Sequence, residues 1–277
     1  MAPRSGRRLR VACVQLNARP DWEANLGSIL SGVERASRRH ASVVVLPENC
    51  LFRGPASGLL RIAAAVTPVV VEKIRCLARE TRTAVILGGI PEKSGRPDKV
   101  FQTAYTIDEK GRVAARYRKI HLFDVALKTV RVSESRHIAP GDRPTAGKLF
   151  GIPTGVAICY DLRFPELFRH LALRGARIVF VPANFTRETG KAHWEVLLRA
   201  RAIENQIFVV AAGQVGEHPV TGIRSFGTSL VIDPWGRTLA RASGDREEIL
   251  MADLDLRAQE KLRRSFPVLN HIKLRTF

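Results

Sequence analysis

Cysteine is scarce in this 277-residue chain: Cys13, Cys50, Cys76 and Cys159 are the four, and none falls in a C-x-x-C pair. That density excludes a disulfide framework. The seven histidines form no H-E-x-x-H motif and no Cys/His cluster, so neither a metal site nor a cofactor is expected. No apolar run approaches the ~20 residues that would cross a bilayer, which argues against a membrane partner. Met1–Arg10 is basic, but the apolar segment behind it, Val11–Leu16, is too short for a signal-peptide core. A cytoplasmic protein is expected, with a basic tail over residues 1–8 and one domain over 9–277. Pro, Gly and Ser concentrate nowhere into a linker, and a chain this long buries roughly 75% of its unfolded surface without staples.

Acidic residues are also short, 26 against 45 basic ones, leaving a net charge of +19 and a pI near 10.9. One reading is a basic nucleic-acid-binding protein without catalysis, releasing counterions from a polyanion. The other is a solvated arginine-rich surface with some affinity for anionic substrates. Only three Tyr and three Trp are available to stack on bases, and the basic residues spread along the whole chain. The second reading is favoured, with no specific nucleic-acid partner.

What is present is an alternation of strand-like and helix-like segments. Leu9–Leu16, Ala41–Leu46 and Ala84–Gly88 read as strands, with helices predicted over Trp22–Arg39 and Pro68–Glu80, the latter capped by Thr67. Val100–Ile107 and Arg112–Tyr117 flank a turn at Asp108-Glu109-Lys110-Gly111. The rhythm repeats with strands at Gly155–Ile158, Arg177–Val181 and Ile207–Ala212 and helices at Pro165–Arg174 and Lys191–Asn205. Thr228–Ile232 and Thr238–Ala242 surround the turn Asp233-Pro234-Trp235-Gly236. Ile249–Leu254 is a last strand and Leu256–Arg264 a last helix. An α/β class with two sheets' worth of strands follows.

Glu48, Lys119 and Cys159 each follow a short apolar strand, the setting in which open α/β sheets place ligands. Together they make a chemical unit. A thiol is mostly protonated at neutral pH, so an attacking cysteine needs a base or a cationic neighbour. Glu48 would accept that proton and return it to a leaving amine. Lys119, with the Tyr160 backbone N–H, would hold an oxyanion. No histidine sits beside Cys159 at a strand end, which favours a carboxylate base. Each residue also has an ordinary reading: Cys159 as a small buried hydrophobe, Glu48 as a capping or solvent-facing carboxylate, Lys119 as part of the basic face Arg116–Lys119.

At these residues the chain resembles the nitrilase superfamily of carbon–nitrogen hydrolases. Val43–Asn49 (VVVLPEN), Tyr117–Asp124 (YRKIHLFD) and Val156–Leu167 (VAICYDLRFPEL) are similar to that family's glutamate, lysine and cysteine motifs, in the family's order. Gly190–Ala212 and Val231–Gly236 extend the likeness over nearly the whole chain. The resemblance implies a four-layer α-β-β-α sandwich with two mixed β-sheets, assembled as a homodimer or larger. It implies a second glutamate, placed at Glu134, orienting Lys119. The run Cys159–Glu166 looks like the branch acting on omega-amides and deaminated glutathione; a nitrilase or an N-carbamoyl-amide hydrolase of the same superfamily is the alternative. The expected reaction turns a small linear amide bearing a carboxylate or 2-oxo acid into carboxylate and ammonia. Arg163 would grip the carboxylate, unless it pairs with Asp161 or Glu166. Tyr160, Phe185 and Thr189 complete the expected substrate contacts. Departures from the branch at Asn184, Lys191, Thr228 and Arg187-Glu188 leave the three chemical residues intact and bear on the substrate.

Overall fold

A computed structural model describes residues 8–127 and 130–274. Of the expected tail, residues 1–7 lie outside the described residues, and Arg8 already opens the first strand. In the first half β1 (Arg8–Gln15), β2 (Val43–Val45) and β3 (Ala84–Lys93) run parallel. Their crossovers carry α1 (Trp22–Arg38) and a helical run that passes from α2 (Leu59–Arg61) into α3 (Thr67–Thr81). β4 (Val100–Ile107) and β5 (Val113–Arg118) return antiparallel through the expected turn, where Gly111 adopts φ +74. β6 (Asp124–Ala126) and β7 (Arg131–Ser133) make a separate hairpin, and β8 (Ile138–Ala139) pairs with β4.

The second half builds a six-stranded sheet from β9 (Ala146–Leu149), β10 (Ile152–Val156), β11 (Ile178–Ala183), β12 (Phe208–Gly213), β13 (Leu230–Ile232) and β14 (Thr238–Arg241). Its middle strands β10, β11 and β12 are parallel, with α4 (Pro165–Leu173) and α5 (Arg187–Asn205) as crossovers. β15 (Glu248–Asp255) then crosses back to pair antiparallel with β1, and α6 (Leu256–Ser265) follows. Both sheets are therefore mixed, and each carries its helices on its outer face.

Binary patterning explains the layers. In β2 the run Val43-Val44-Val45 is wholly buried because Val43 and Val45 join the core between the sheets, while Val44 joins the core under α1 and α3. A strand covered on both faces reads as continuous hydrophobic sequence rather than as an alternation. On the other side, Leu167 and Phe168 of α4 and Trp194 and Leu198 of α5 close the core over the second sheet.

One expected boundary is wrong for a physical reason. Thr67 does not cap a helix, because its hydroxyl donates to the Pro91 carbonyl at 2.6 Å and the helical run begins upstream at Leu59. A π-helical turn, Ile62–Val66, precedes Pro68. It shifts the hydrogen-bond register where proline has no N–H to donate.

Candidate active site

The exits of β2, β5 and β10 converge, and their side chains meet at one cavity of about 170 Å³, lined by Glu48, Lys119, Glu134 and Cys159 among others. Glu48 stands three residues past β2 and is buried. Its Oε1 accepts from Lys119 Nζ at 2.8 Å and its Oε2 from the Asn184 backbone N–H at 3.0 Å. Its main-chain carbonyl accepts from Gln214 Nε2 at 3.0 Å, and Gln214 lies where the exits of β1 and β12 are bridged. Glu48 is thus held by both halves of the molecule.

Lys119 directly follows β5 and is 1% exposed. Its ammonium reaches Glu48 Oε1 at 2.8 Å and the two Glu134 oxygens at 2.9 and 2.8 Å. An ammonium has three protons, so all are committed. Glu134 sits in a short 3₁₀ turn behind β7 and also accepts the Phe123 backbone N–H at 2.7 Å. Burial opposes the charge on Lys119, but the Glu134 and Glu48 carboxylates outweigh it and hold the ammonium well above the ordinary lysine range. Burial pushes the Glu134 carboxyl up, against the pull of Lys119.

Cys159 comes three residues after β10 and adopts φ +49, a left-handed conformation that costs about 1–3 kcal/mol for a side chain other than glycine. A buried aspartate holds that turn. Asp161 accepts from the Ile158 N–H at 2.8 Å and the Tyr117 hydroxyl at 2.7 Å through Oδ2. Its Oδ1 takes the His121 N–H at 3.1 Å and faces His121 Nδ1 at 2.7 Å. This carboxylate bolts the Cys159 turn to the end of β5. Burial, then the charge of Glu48, raises the Cys159 thiol well above the ordinary thiol range, with Lys119 pulling the other way. The resting group is a thiol beside a carboxylate. The other cysteines are elsewhere: Cys13 and Cys50 are packed in the core, and Cys76 is half-buried on α3.

The solvent-facing readings of Glu48 and Lys119 do not hold, since both are almost fully buried. Arg163, Tyr160, Phe185 and Thr189 do come together, lining a narrow cleft of about 10 Å³ that also touches Cys159. Arg163 lies over the Tyr160 and Phe185 rings and contacts His193 Nδ1 at 3.1 Å. It pairs with neither Asp161 nor Glu166, because Asp161 is already engaged by Tyr117 and His121. Arg187, Glu188 and Lys191 are exposed on α5, and Thr228 is buried with its carbonyl accepting from Trp194 Nε1. Sequence reasoning missed Arg53, Asn49, His218 and Ser225, which line the main cavity. Asn49 closes the VVVLPEN motif and Arg53 follows Glu48 by five residues, but neither was singled out, and His218 and Ser225 stand in loops with no strand-end or motif signal. Among the described residues no group of His, Cys, Asp and Glu could hold a metal ion.

Two mixed sheets between helices, with a buried Glu–Lys–Glu cluster against a cysteine, define the class. The chain belongs to the carbon–nitrogen hydrolase family, whose sequence profile matches residues 10–264; it is a hydrolase acting on carbon–nitrogen bonds. It is 38% identical over 265 residues to the Drosophila melanogaster nitrilase and fragile histidine triad fusion protein NitFhit, covering 94% of this chain and 56% of that protein. The human deaminated glutathione amidase is 39% identical over 273 residues, covering 94% of this chain and 81% of the relative. Among solved structures, Saccharomyces cerevisiae Nit3, a member of branch 10 of the nitrilase superfamily, superimposes with a TM-score of 0.86 at 31% identity, covering 98% of both chains. A glutamate-to-glutamine mutant of an amidase from Nesterenkonia sp. AN1 matches with a TM-score of 0.80 at 29% identity over 98% of this chain and 99% of that one. That structure shows covalent addition of the acetamide moiety of fluoroacetamide at its active-site cysteine.

Proposed function

We propose that the chain is an amidase that cleaves a small linear amide bearing a carboxylate or 2-oxo acid, using Cys159 as nucleophile and Glu48 as general base. One observation carries this reading: Cys159 shares a cavity with the buried Lys119–Glu48–Glu134 cluster, and the same Glu48 faces both the thiol and the ammonium. The thiol proton passes to Glu48 as Sγ bonds the amide carbonyl carbon. Lys119 exchanges one of its carboxylate contacts for the new oxyanion, with the Tyr160 N–H as second donor. Glu48 then protonates the departing amine, and the C–N bond breaks to leave a thioester. Water, deprotonated by Glu48, hydrolyses it and restores the thiol.

The substrate class is supported by the relatives named deaminated glutathione amidase and by Arg163, whose guanidinium has no carboxylate partner among the described residues and borders the cleft at Cys159. No cofactor enters this scheme. A cytoplasmic setting suits the four free thiols, and a homo-oligomer belongs to the same reading.

The test is chemical labelling followed by mass spectrometry. After iodoacetamide or substrate, the adduct is expected on Cys159, and ammonia release from short omega-amides is expected to vanish in Cys159→Ala. Labelling at another cysteine with full activity in Cys159→Ala would overturn the assignment. Arg163→Lys is expected to lower kcat/KM for omega-amides of dicarboxylic acids more than for butyramide, because lysine lacks the planar fork. Equal losses on both would give Arg163 a scaffold role.

A further inference from the structure

Arg53 is the buried cation that the amidase scheme leaves unused. It lies on the loop after β2, five residues beyond Glu48, is 2% exposed and lines the main cavity. Its hydrogen bonds all go to neutral groups. Nη1 donates to the Val215 carbonyl at 3.0 Å and to Asn17 Oδ1 at 3.3 Å. Nη2 donates to Ser225 Oγ at 2.6 Å and to the Gly216 carbonyl at 3.5 Å. The buried Nε has no partner. Among the described residues no carboxylate comes within ion-pair distance of Arg53. Arg201, equally buried, behaves in the usual way and pairs with Glu204 at 3.0 Å.

A desolvated charge without a counter-charge is costly. Burial pushes the Arg53 guanidinium down to about 10, which still leaves it charged at neutral pH. Carbonyls and hydroxyls orient its N–H groups but carry no net charge to balance it. The site is also wired to the chemistry: Ser225 Oγ donates to Asn184 Oδ1 at 2.6 Å, and the Asn184 N–H donates to Glu48 Oε2 at 3.0 Å. Space separates Arg53 from Arg163. The Arg163 cleft, about 10 Å³, has room for about one water, whereas the Arg53 cavity measures about 170 Å³.

We infer that Arg53 forms a carboxylate-binding subsite of this cavity, in which an anionic group of the substrate supplies the counter-charge that the folded chain withholds. The inference rests on the amidase reading for what the cavity binds, and adds Arg53 to Arg163 as a second cation that selects it. An amide lacking that anion would leave a buried guanidinium unpaired, so discrimination comes from the penalty as much as from the contact.

Glutarate is the probe, titrated calorimetrically into the Cys159→Ala protein, where no turnover occurs. Binding is expected, and it is expected to weaken about 10- to 100-fold when Arg53→Gln is added, the span of one or two charge-assisted hydrogen bonds. In the catalytically intact protein, Arg53→Gln is expected to lower the ratio of kcat/KM for succinamate over butyramide by a similar factor. No glutarate binding at millimolar concentration overturns the subsite. So does a loss confined to Arg163→Gln, or an unchanged substrate ratio with both rates falling together. If Arg53→Gln does not fold, glutarate soaked into crystals of the unaltered protein decides. A carboxylate within hydrogen-bond reach of Arg53 supports the subsite, and one held only at Arg163 overturns it. Calorimetry needs no turnover, so a protein that binds glutarate through Arg53 but hydrolyses no amide would sink the amidase reading alone.

Discussion

Glu48 raises the proton affinity of the Cys159 thiol at rest, and the proposed mechanism also has it remove that proton during attack. These roles separate in a single variant. Glu48→Gln keeps the size and the burial but deletes the charge that helps hold Cys159 protonated, while Lys119 remains to favour thiolate. Turnover is expected to fall by about 10² or more, the contribution of a general base. Iodoacetamide labelling of Cys159 near neutral pH is expected to quicken, because the thiol's affinity for its proton drops. Labelling that slows along with turnover would remove Glu48 from control of the thiol. Lys119→Met makes a second test. It leaves Glu48 and Glu134 as two buried, unneutralised carboxylates and is expected to cost about 3–5 kcal/mol near neutral pH. Burial raises the Glu134 carboxyl, and removing Lys119 takes away the charge that opposes that rise, so the folded state then binds more protons than the unfolded one. The lost stability should return as pH falls toward 5, read by denaturant melts at two pH values. Glu48 and Lys119 were legible as strand-end residues and Glu134 only through the family resemblance; their mutual distances were not legible, since the three come from separate segments.

At the scale of elements, the strand exits act as brackets. Gly88 on β3 packs against the chain just ahead of Glu48: a Cβ there would lie 2.2 Å from the Pro47 carbonyl oxygen and 2.5 Å from that of Leu46. Gly88→Ala is expected to displace Glu48 and lower both turnover and melting temperature. Gly27, exposed within α1, has nothing within 4 Å of an added Cβ, so Gly27→Ala is expected to gain about 0.5–1 kcal/mol with turnover intact. Opposite signs for the same substitution in thermal melts would establish the bracket; a harmless Gly88→Ala would dismiss it. The β2 run, the β4–β5 hairpin and the Asp233 turn could be read from periodicity and turn chemistry. The entry into α3 could not, because Thr67 serves a tertiary partner, Pro91, instead of its own helix.

At the scale of the whole molecule, the outer helices leave Leu173, Val196 and Ile203 about half exposed or more, and Phe266 beyond α6 is 53% exposed. Covering them in a second copy is the expected outcome, and light scattering should report a particle heavier than the 30.7 kDa chain; a monomer at micromolar concentration would contradict it. What the sequence determined by itself was local and periodic. Apolar runs announced central strands, turn residues announced hairpins, and three motifs in order named the chemistry. The tertiary structure decided what depends on neighbours far along the chain. It placed both Glu134 oxygens on Lys119, gave Asp161 to Tyr117 and His121 rather than to Arg163, and buried Arg53 beside the Cys159 cavity without a counter-charge among the described residues. The physical reason is that a side chain's charge balance is set by what surrounds it after folding. Arg53 and Arg163 look alike in sequence, and only packing lays the half-buried Arg163 over the Tyr160 and Phe185 rings and buries Arg53 in the wall of the larger cavity.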